Sequence, residues 1–124
     1  SDADLAAMAA EIALQQDEAL SDEDFCASDV RFHRAVVQAT DNGPLQLMMH
    51  AMLESFIPIT NMLIYREHER RRTVAAHQRI HAAVAARQGE AAVRLMQDHV
   101  EDMRAALDQA LARRNARKPQ GEAP

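Results

Sequence analysis

The sequence predicts an all-α protein, an antiparallel bundle of about five to six helices. The 124 residues include only three glycines and four prolines, and aromatic residues make up 3% of the chain. Alanine and methionine are frequent and β-branched runs are scarce, which is typical of helical proteins. Apolar residues also recur every three or four positions through most of the chain, the period of an amphipathic helix.

The first two helices are separated by a serine with acidic neighbours. Apolar residues at helical spacing predict the first helix over residues 3–20. Ser21 begins the run SDED, where a serine can cap a helix and the acids suit its positive N-terminus. The second helix is predicted to run to about Thr40 and to end in the turn DNGP at 41–44.

The third helix, predicted over residues 44–65, is apolar around most of its circumference. Pro58 lacks a backbone N–H and is expected to kink it. A helix this apolar must be covered on more than one side, so we expect it to contribute to a symmetric homodimer interface. The residues concerned are Met48, Met49, Met52, Leu53, Phe56, Ile59 and Leu63.

The last two helices are predicted on either side of a break at Gly89. The polar stretch 66–72 is either a loop or the exposed start of the fourth helix, which covers about residues 70–87. Gly89 interrupts the apolar pattern, and the fifth helix begins at Glu90.

Charge and cysteine content narrow the class of protein further. The net charge of −5 argues against this chain being a nucleic-acid-binding surface. A single cysteine, Cys26, suits a reducing cytoplasm, and no apolar run reaches the length of a membrane span.

Residues 1–112 are expected to form one domain and residues 113–124 a disordered basic tail. Because the chain lacks an initiator methionine, it is expected to be a piece of a longer polypeptide.

Asp29 and His33 are the first residues that indicate a function. Each helical residue turns by about 100°, so both fall within the arc that also contains Phe25, Phe32 and Val36. A buried carboxylate is unfavourable unless it is paired or binds a metal. Asp29 therefore requires a partner in the protein interior.

Two further helices direct histidines toward the same interior. His77 on the fourth helix and His99 on the fifth lie on apolar faces. Imidazole and carboxylate together suit a divalent cation, with zinc as the first choice and nickel, manganese or iron as alternatives. One aspartate and three histidines also leave one or two positions for other ligands. His81, one turn after His77, could instead bind the metal, line the cavity or support a ligand histidine.

No sequence pattern indicates catalysis. The HxxxH pattern of the fourth helix carries Gln78 where a zinc protease needs its glutamate base. The chain has no glycine-rich phosphate loop, no GxSxG and no Glu-x-x-His pair of the di-iron kind.

His50 lies beside polar residues and is expected to be solvated. A purely structural interpretation also stands, in which Asp29 and His33 form only a helix-stabilising pair.

Four motifs follow one another along the chain. An Asp-x2-Phe-His frame covers residues 29–33, and a turn with a small residue and an asparagine ends at Asn42. A His-x2-Ile-x2-Ala pattern begins at His77, and an Ala-x3-Met-x2-His pattern ends at His99. In this order and spacing they resemble the FCD ligand-binding domain of FadR-type GntR transcription regulators, over residues 4 to about 107.

This resemblance implies a helical bundle that holds a divalent metal through Asp29, His33, His77 and His99. It therefore selects His77 over His81 as the ligand. It also implies a homodimer that binds a small carboxylate effector at the metal and signals to DNA through a winged-helix domain. That domain and the family's usual first helix are absent from this chain, which is expected to begin inside the family domain.

The sequence thus predicts the effector-sensing, dimerising domain of a bacterial transcription regulator, located in the cytoplasm and without enzymatic activity. A metal-dependent hydrolase on a helical bundle is the alternative. Further candidates for effector contact are His81, Asn42 and Arg66. Arg66 could reach a second carboxylate, although a solvated charge run is the favoured interpretation of residues 66–72.

Overall fold

The computed structural model describes residues 1–65 and 70–119, apart from the side chain of Phe56. Within these ranges the chain is helical and contains no strand. The predicted all-α class is therefore confirmed. The helices are α1 (Asp2–Gln15), α2 (Asp22–Gln38), α3 (Gly43–Tyr65), α4 (Arg70–Ala85) and α5 (Gly89–Ala116).

The five helices close into a ring around one core. Helix α1 packs against α2 and α4, helix α3 packs against α2 and α5, and α4 packs against α5. Short connections between α1 and α2, α2 and α3, and α4 and α5 make these neighbours antiparallel. The most deeply buried apolar side chains, Met8, Phe25, Phe32 and Ile80, are at most 1% exposed. Residues that point into this ring are thus shielded from water by several helices.

Serine caps hold the starts of the first two helices. Ser1 and Asp4 form a reciprocal capping box at the start of α1. The predicted cap at Ser21 is present, since its Oγ accepts a hydrogen bond of 3.1 Å from Asp24 N–H. These caps fix where α1 and α2 begin, and with them which residues face the core.

Helix α1 is shorter than its apolar pattern predicts, because it ends at Gln15 and not near residue 20. The Asp17 carboxylate accepts a hydrogen bond of 3.0 Å from Ala19 N–H. Its backbone carbonyl accepts a second bond of 3.1 Å from Leu20 N–H. An aspartate that bonds to nearby backbone amides competes with helix continuation. The resulting turn places Gln15 at the last buried position of α1.

Arg70 anchors the start of α4 to the opposite side of the ring. Its guanidinium donates a hydrogen bond of 2.5 Å to the Leu20 carbonyl and forms an ion pair with Asp22. The same group lies 4.8 Å from the centre of the Phe25 ring. This anchor fixes the position of α4 against the start of α2.

Helix α3 carries the predicted kink. Its segments Gly43–Ser55 and Ile57–Tyr65 are bent by 53° relative to each other, immediately before Pro58. Within the described residues, no single helix is long and apolar enough to cross a membrane, and only this bent pair passes that test of length and composition. Leu53, one of the apolar residues on which the expected interface is based, is only 2% exposed and packs inward.

The end of α5 lies beyond the expected domain boundary. The helix continues through residues 113–116, which the sequence predicts to belong to the basic tail. The boundary at residue 112 and the disordered tail stay predictions. His50 is exposed on α3, as expected for a solvated histidine.

Candidate metal centre

The four predicted metal ligands come together inside the helical ring. Asp29 and His33 lie one turn apart on α2, His77 lies in the middle of α4, and His99 lies in the middle of α5. Asp29 is 3% exposed, His77 is fully buried and His99 is 5% exposed. His33 is partly buried. Three helices therefore each contribute to one small volume.

The distances within this cluster suit a shared cation. His77 Nε2 lies 3.2 Å from Asp29 Oδ1 and 3.3 Å from His99 Nε2. His33 Nε2 lies 3.4 Å from the same Asp29 oxygen, and one ligand atom from each residue lies within 4.8 Å of the others. A cation with ligands at about 2.1 Å places neighbouring ligand atoms roughly 3.0–3.4 Å apart in octahedral or tetrahedral coordination. The three short distances fall in or at the edge of that range.

Aromatic packing holds the imidazole rings in place. The Phe32 ring stacks on His77 with a centroid distance of 4.0 Å and an angle of 19°. His33 and His99 are also stacked, with their centroids 5.5 Å apart. Such contacts favour the observed ring orientations, and with them the directions of the nitrogen atoms, without a bound ion.

The pKa values of Asp29 and His77 are shifted toward the forms of these two residues that bind a cation. Burial alone would raise the pKa of Asp29, but the charge of His33 and polar contacts with His33 and His77 outweigh it and hold this pKa well below its usual range. Burial lowers the pKa of His77 and keeps its imidazole neutral. Ionised carboxylate and neutral imidazole are the forms that donate to a metal.

One buried oxygen in the cluster lacks a hydrogen bond. Asp29 Oδ1 accepts none from the residues that the structure describes, although it is shielded from water. A buried carboxylate oxygen in that state is costly unless a cation or proton satisfies it. The donor set of one carboxylate and three imidazoles fits a divalent cation such as zinc, and a cation at the centre of the cluster would satisfy Oδ1.

The family model described as the FCD domain matches residues 1–102. The chain belongs to the FCD family. Members of this family form the C-terminal, effector-binding domain of GntR-type transcription regulators, which is a regulatory ligand-binding domain. Neither a curated protein nor a solved structure matched the chain in the comparisons.

Two polar residues of this FCD domain contact the cluster and were not singled out by the sequence. Asn61 on α3 donates a hydrogen bond of 2.6 Å from Nδ2 to Asp29 Oδ2. Gln15 on α1 places Oε1 at 2.7 Å from His77 Nδ1. Both are buried, at 6% and 3% exposure respectively. The signal that could have found them is the one that found Asp29, a polar side chain on an otherwise apolar helix face.

Three further residues of the FCD domain were predicted to contact an effector. His81 faces α1, where its Nε2 donates a hydrogen bond of 3.1 Å to the Leu5 carbonyl, so the structure brings His77 and not His81 into the cluster. Asn42 caps α3, since its Oδ1 accepts a hydrogen bond of 3.0 Å from Leu45 N–H. Arg66 lies outside the described residues. Effector contact by these three residues stays a prediction.

Among the residues that the structure describes, a surface cleft lies at each end of α4. The larger has a volume of about 500 Å³ and lies between the end of α1 and the start of α4, with Gln15 and Arg70 among its lining residues. The smaller, of about 320 Å³, lies by the start of α1 and the end of α4. Neither cleft is lined by any of the four predicted ligands. An effector cavity beside the cluster stays a prediction.

Proposed function

We propose that this FCD domain holds one divalent metal ion through Asp29, His33, His77 and His99. The ion, zinc in the first instance, forms part of the binding site for a small carboxylate effector. The observation that carries the proposal is the convergence of four ligand-type side chains from three helices, with separations of 3.2–3.4 Å between the nearest nitrogen and oxygen atoms.

The charge of such a centre favours an anionic effector. A divalent ion with one carboxylate and three neutral imidazoles keeps a net charge of about +1, and this is what the ion supplies to ligand binding. Four protein ligands also leave positions for oxygen atoms of a bound acid. Small hydroxy acids and dicarboxylic acids therefore fit the proposal best.

Membership of the FCD family supports the parts of the proposal that concern the oligomeric state, the location and DNA binding. We assign the domain to a homodimeric bacterial regulator that acts in the cytoplasm, where its DNA target is located. DNA binding then belongs to a winged-helix domain outside this chain, consistent with the net charge of −5. Because the family is a regulatory ligand-binding one, it gives no support to the alternative of a metal-dependent hydrolase.

Metal titration tests the proposal directly. Protein stripped with a chelator should take up one zinc ion per chain, measured by competition with a chromophoric chelator. Its melting temperature should rise, because an ion bound only by the folded state stabilises by about 2.7 kcal/mol at 100 times Kd. His99→Ala should abolish most of the rise and His50→Ala, an exposed histidine on α3, should leave it intact. Absence of stoichiometric metal uptake by the wild-type protein would overturn the proposal.

A further inference from the structure

Helix α1 contributes none of the four proposed ligands, yet it directs two polar side chains toward the centre. Glu11 and Gln15 lie one turn apart on this helix, and Gln15 is only 3% exposed. A buried amide is unfavourable unless both its donor and its acceptor are satisfied. The position of Gln15 at the end of an apolar face thus calls for a reason other than packing.

Gln15 is the middle of a continuous chain of hydrogen bonds. Arg31 Nε lies 2.8 Å from Glu11 Oε1, and Ser28 Oγ lies 2.7 Å from Glu11 Oε2. Gln15 Nε2 lies 3.0 Å from Ser28 Oγ, and Gln15 Oε1 lies 2.7 Å from His77 Nδ1. These hydrogen bonds connect the half-exposed Arg31 to the fully buried His77.

The donors and acceptors of these side chains allow the series of hydrogen bonds from Glu11 to His77 to run in one direction only. A carboxylate only accepts, so the Ser28 hydroxyl must donate to Glu11, whose other carboxylate oxygen accepts from the Arg31 guanidinium. Ser28 Oγ can then only accept from Gln15, which therefore presents its NH₂ group to Ser28. The carbonyl oxygen of Gln15 is left for His77, whose Nδ1 must carry the hydrogen.

We propose that the Glu11–Ser28–Gln15 chain selects the Nδ1–H tautomer of His77 and so keeps its Nε2 lone pair available to a metal ion. Gln15 is then a positioning residue that acts on the metal centre through His77. This inference rests on the proposed function, because it assigns a role in the same metal centre.

Selection of the tautomer matters because the Nε2–H form of His77 cannot bind a metal ion through Nε2. His77 Nε2 lies 3.2 Å from Asp29 Oδ1. A hydrogen on Nε2 would occupy the lone pair that binds a metal ion and would remove His77 from the proposed ligand set. With the hydrogen held at Nδ1, the Nε2 lone pair faces both Asp29 Oδ1 and, at 3.3 Å, His99 Nε2, and its contact with the carboxylate oxygen is repulsive until a cation lies between them. The Glu11–Ser28–Gln15 hydrogen bonds thus favour the tautomer of His77 that can bind a metal ion.

Variants of Gln15 test this role with a spectroscopic readout. In two-dimensional ¹H–¹⁵N spectra of metal-free protein with ¹⁵N-labelled histidine, wild-type His77 should show the Nδ1–H tautomer. Gln15→Met removes the acceptor at similar volume and should convert His77 to the Nε2–H tautomer. The same variant should bind zinc roughly 10- to 100-fold more weakly, the usual cost of losing a hydrogen-bond partner behind a metal-binding histidine. Gln16→Met, at the exposed neighbouring position, should change neither result.

A second variant keeps the test decisive if Gln15→Met does not fold. Ser28→Ala leaves Gln15 in place but frees its amide to turn, so His77 should become a mixture of tautomers and zinc binding should weaken. An Nε2–H tautomer in the wild-type protein would overturn the inference. Equal zinc affinity of wild-type protein and Gln15→Met would also overturn it while leaving the metal centre itself standing. Failure of the wild-type protein to bind any divalent metal would instead overturn the proposed function.

Discussion

Asn61 Nδ2 donates a hydrogen bond of 2.6 Å to Asp29 Oδ2 and ties the second half of α3 to the middle of α2. Asp29 presents its other oxygen to His33 and His77, so the amide of Asn61 fixes which carboxylate oxygen faces the cluster. A helix that contributes no proposed ligand thereby orients the only carboxylate of the proposed centre.

Replacement of Asn61 should destabilise the fold. Asn61→Leu keeps a similar volume but leaves Asp29 Oδ2 buried without its donor, at a cost of about 1–3 kcal/mol. Urea denaturation of the metal-free protein measures the difference in the free energy of unfolding. Asn115→Leu, the same change at an exposed position on α5, should stay within about 0.5 kcal/mol of wild type. Equal stabilities of the two variants would contradict this role of Asn61.

The outer face of α3 should form a homodimer interface. Leu47, Met48 and Ile59 are 73%, 65% and 67% exposed, so an apolar surface lies along the helix. We expect wild-type protein to sediment as a dimer at micromolar concentration, and Met48→Glu to shift it to monomer by burying a charge in the interface. Val100→Glu, at an apolar site on α5 that is 58% exposed, is the control and should remain dimeric. A monomeric wild-type protein would rule out this interface.

Effector binding should require the metal. Calorimetric titration of a panel of small hydroxy acids and dicarboxylic acids should give heat with zinc-loaded protein and none with stripped protein. The physical reason is the net positive charge and the open coordination positions of the proposed centre. Binding of equal strength without metal, or a preference for cations, would place the effector elsewhere.

Removal of a side chain at the end of α4 should stabilise the protein. Arg87 adopts a left-handed backbone conformation with φ 56°, and the following Gln88 N–H donates a hydrogen bond of 2.9 Å to the Ala83 carbonyl. This helix-ending turn favours glycine, because a Cβ atom is strained at positive φ. Arg87→Gly should therefore gain about 1 kcal/mol in free energy of unfolding. Arg87→Ala keeps the Cβ atom and should gain nothing, and a gain of the same size in both variants would assign the effect to the lost charge.

The candidate ligands could be predicted from the sequence because each is an ionisable side chain on an apolar helix face. On α2, the apolar residues Phe25 and Phe32 define the inner arc, and Asp29 and His33 fall within it. The same phase argument places both His77 and His81 on one face of α4, and the family resemblance favours His77. Helical geometry alone converts such spacing into direction, so no knowledge of tertiary contacts is required.

Gln15 and Asn61 could not be predicted in the same way. Gln15 follows Met8 and Ile12 on the inner face, but an uncharged amide resembles an ordinary polar position on a helix expected to continue to residue 20. The early end of α1 depends on the side chain of Asp17, a local competition that periodicity does not register. Asn61 lies in a helix that is apolar almost all round, so no polar face exists there for contrast.

Because the proposed ligands are far apart along the chain, the protein would have to fold before it could retain the metal ion. His33 and His77 are 44 residues apart, and His77 and His99 are 22 residues apart. An unfolded chain offers an ion only local pairs such as Asp29 and His33, because bringing in the other proposed ligands costs loop-closure entropy. Nearly all of the free energy of metal binding then belongs to the folded state. Chains in which α2, α4 or α5 is misplaced would fail to retain the ion and would keep the lower stability of the metal-free protein. Cellular proteases would degrade such chains first.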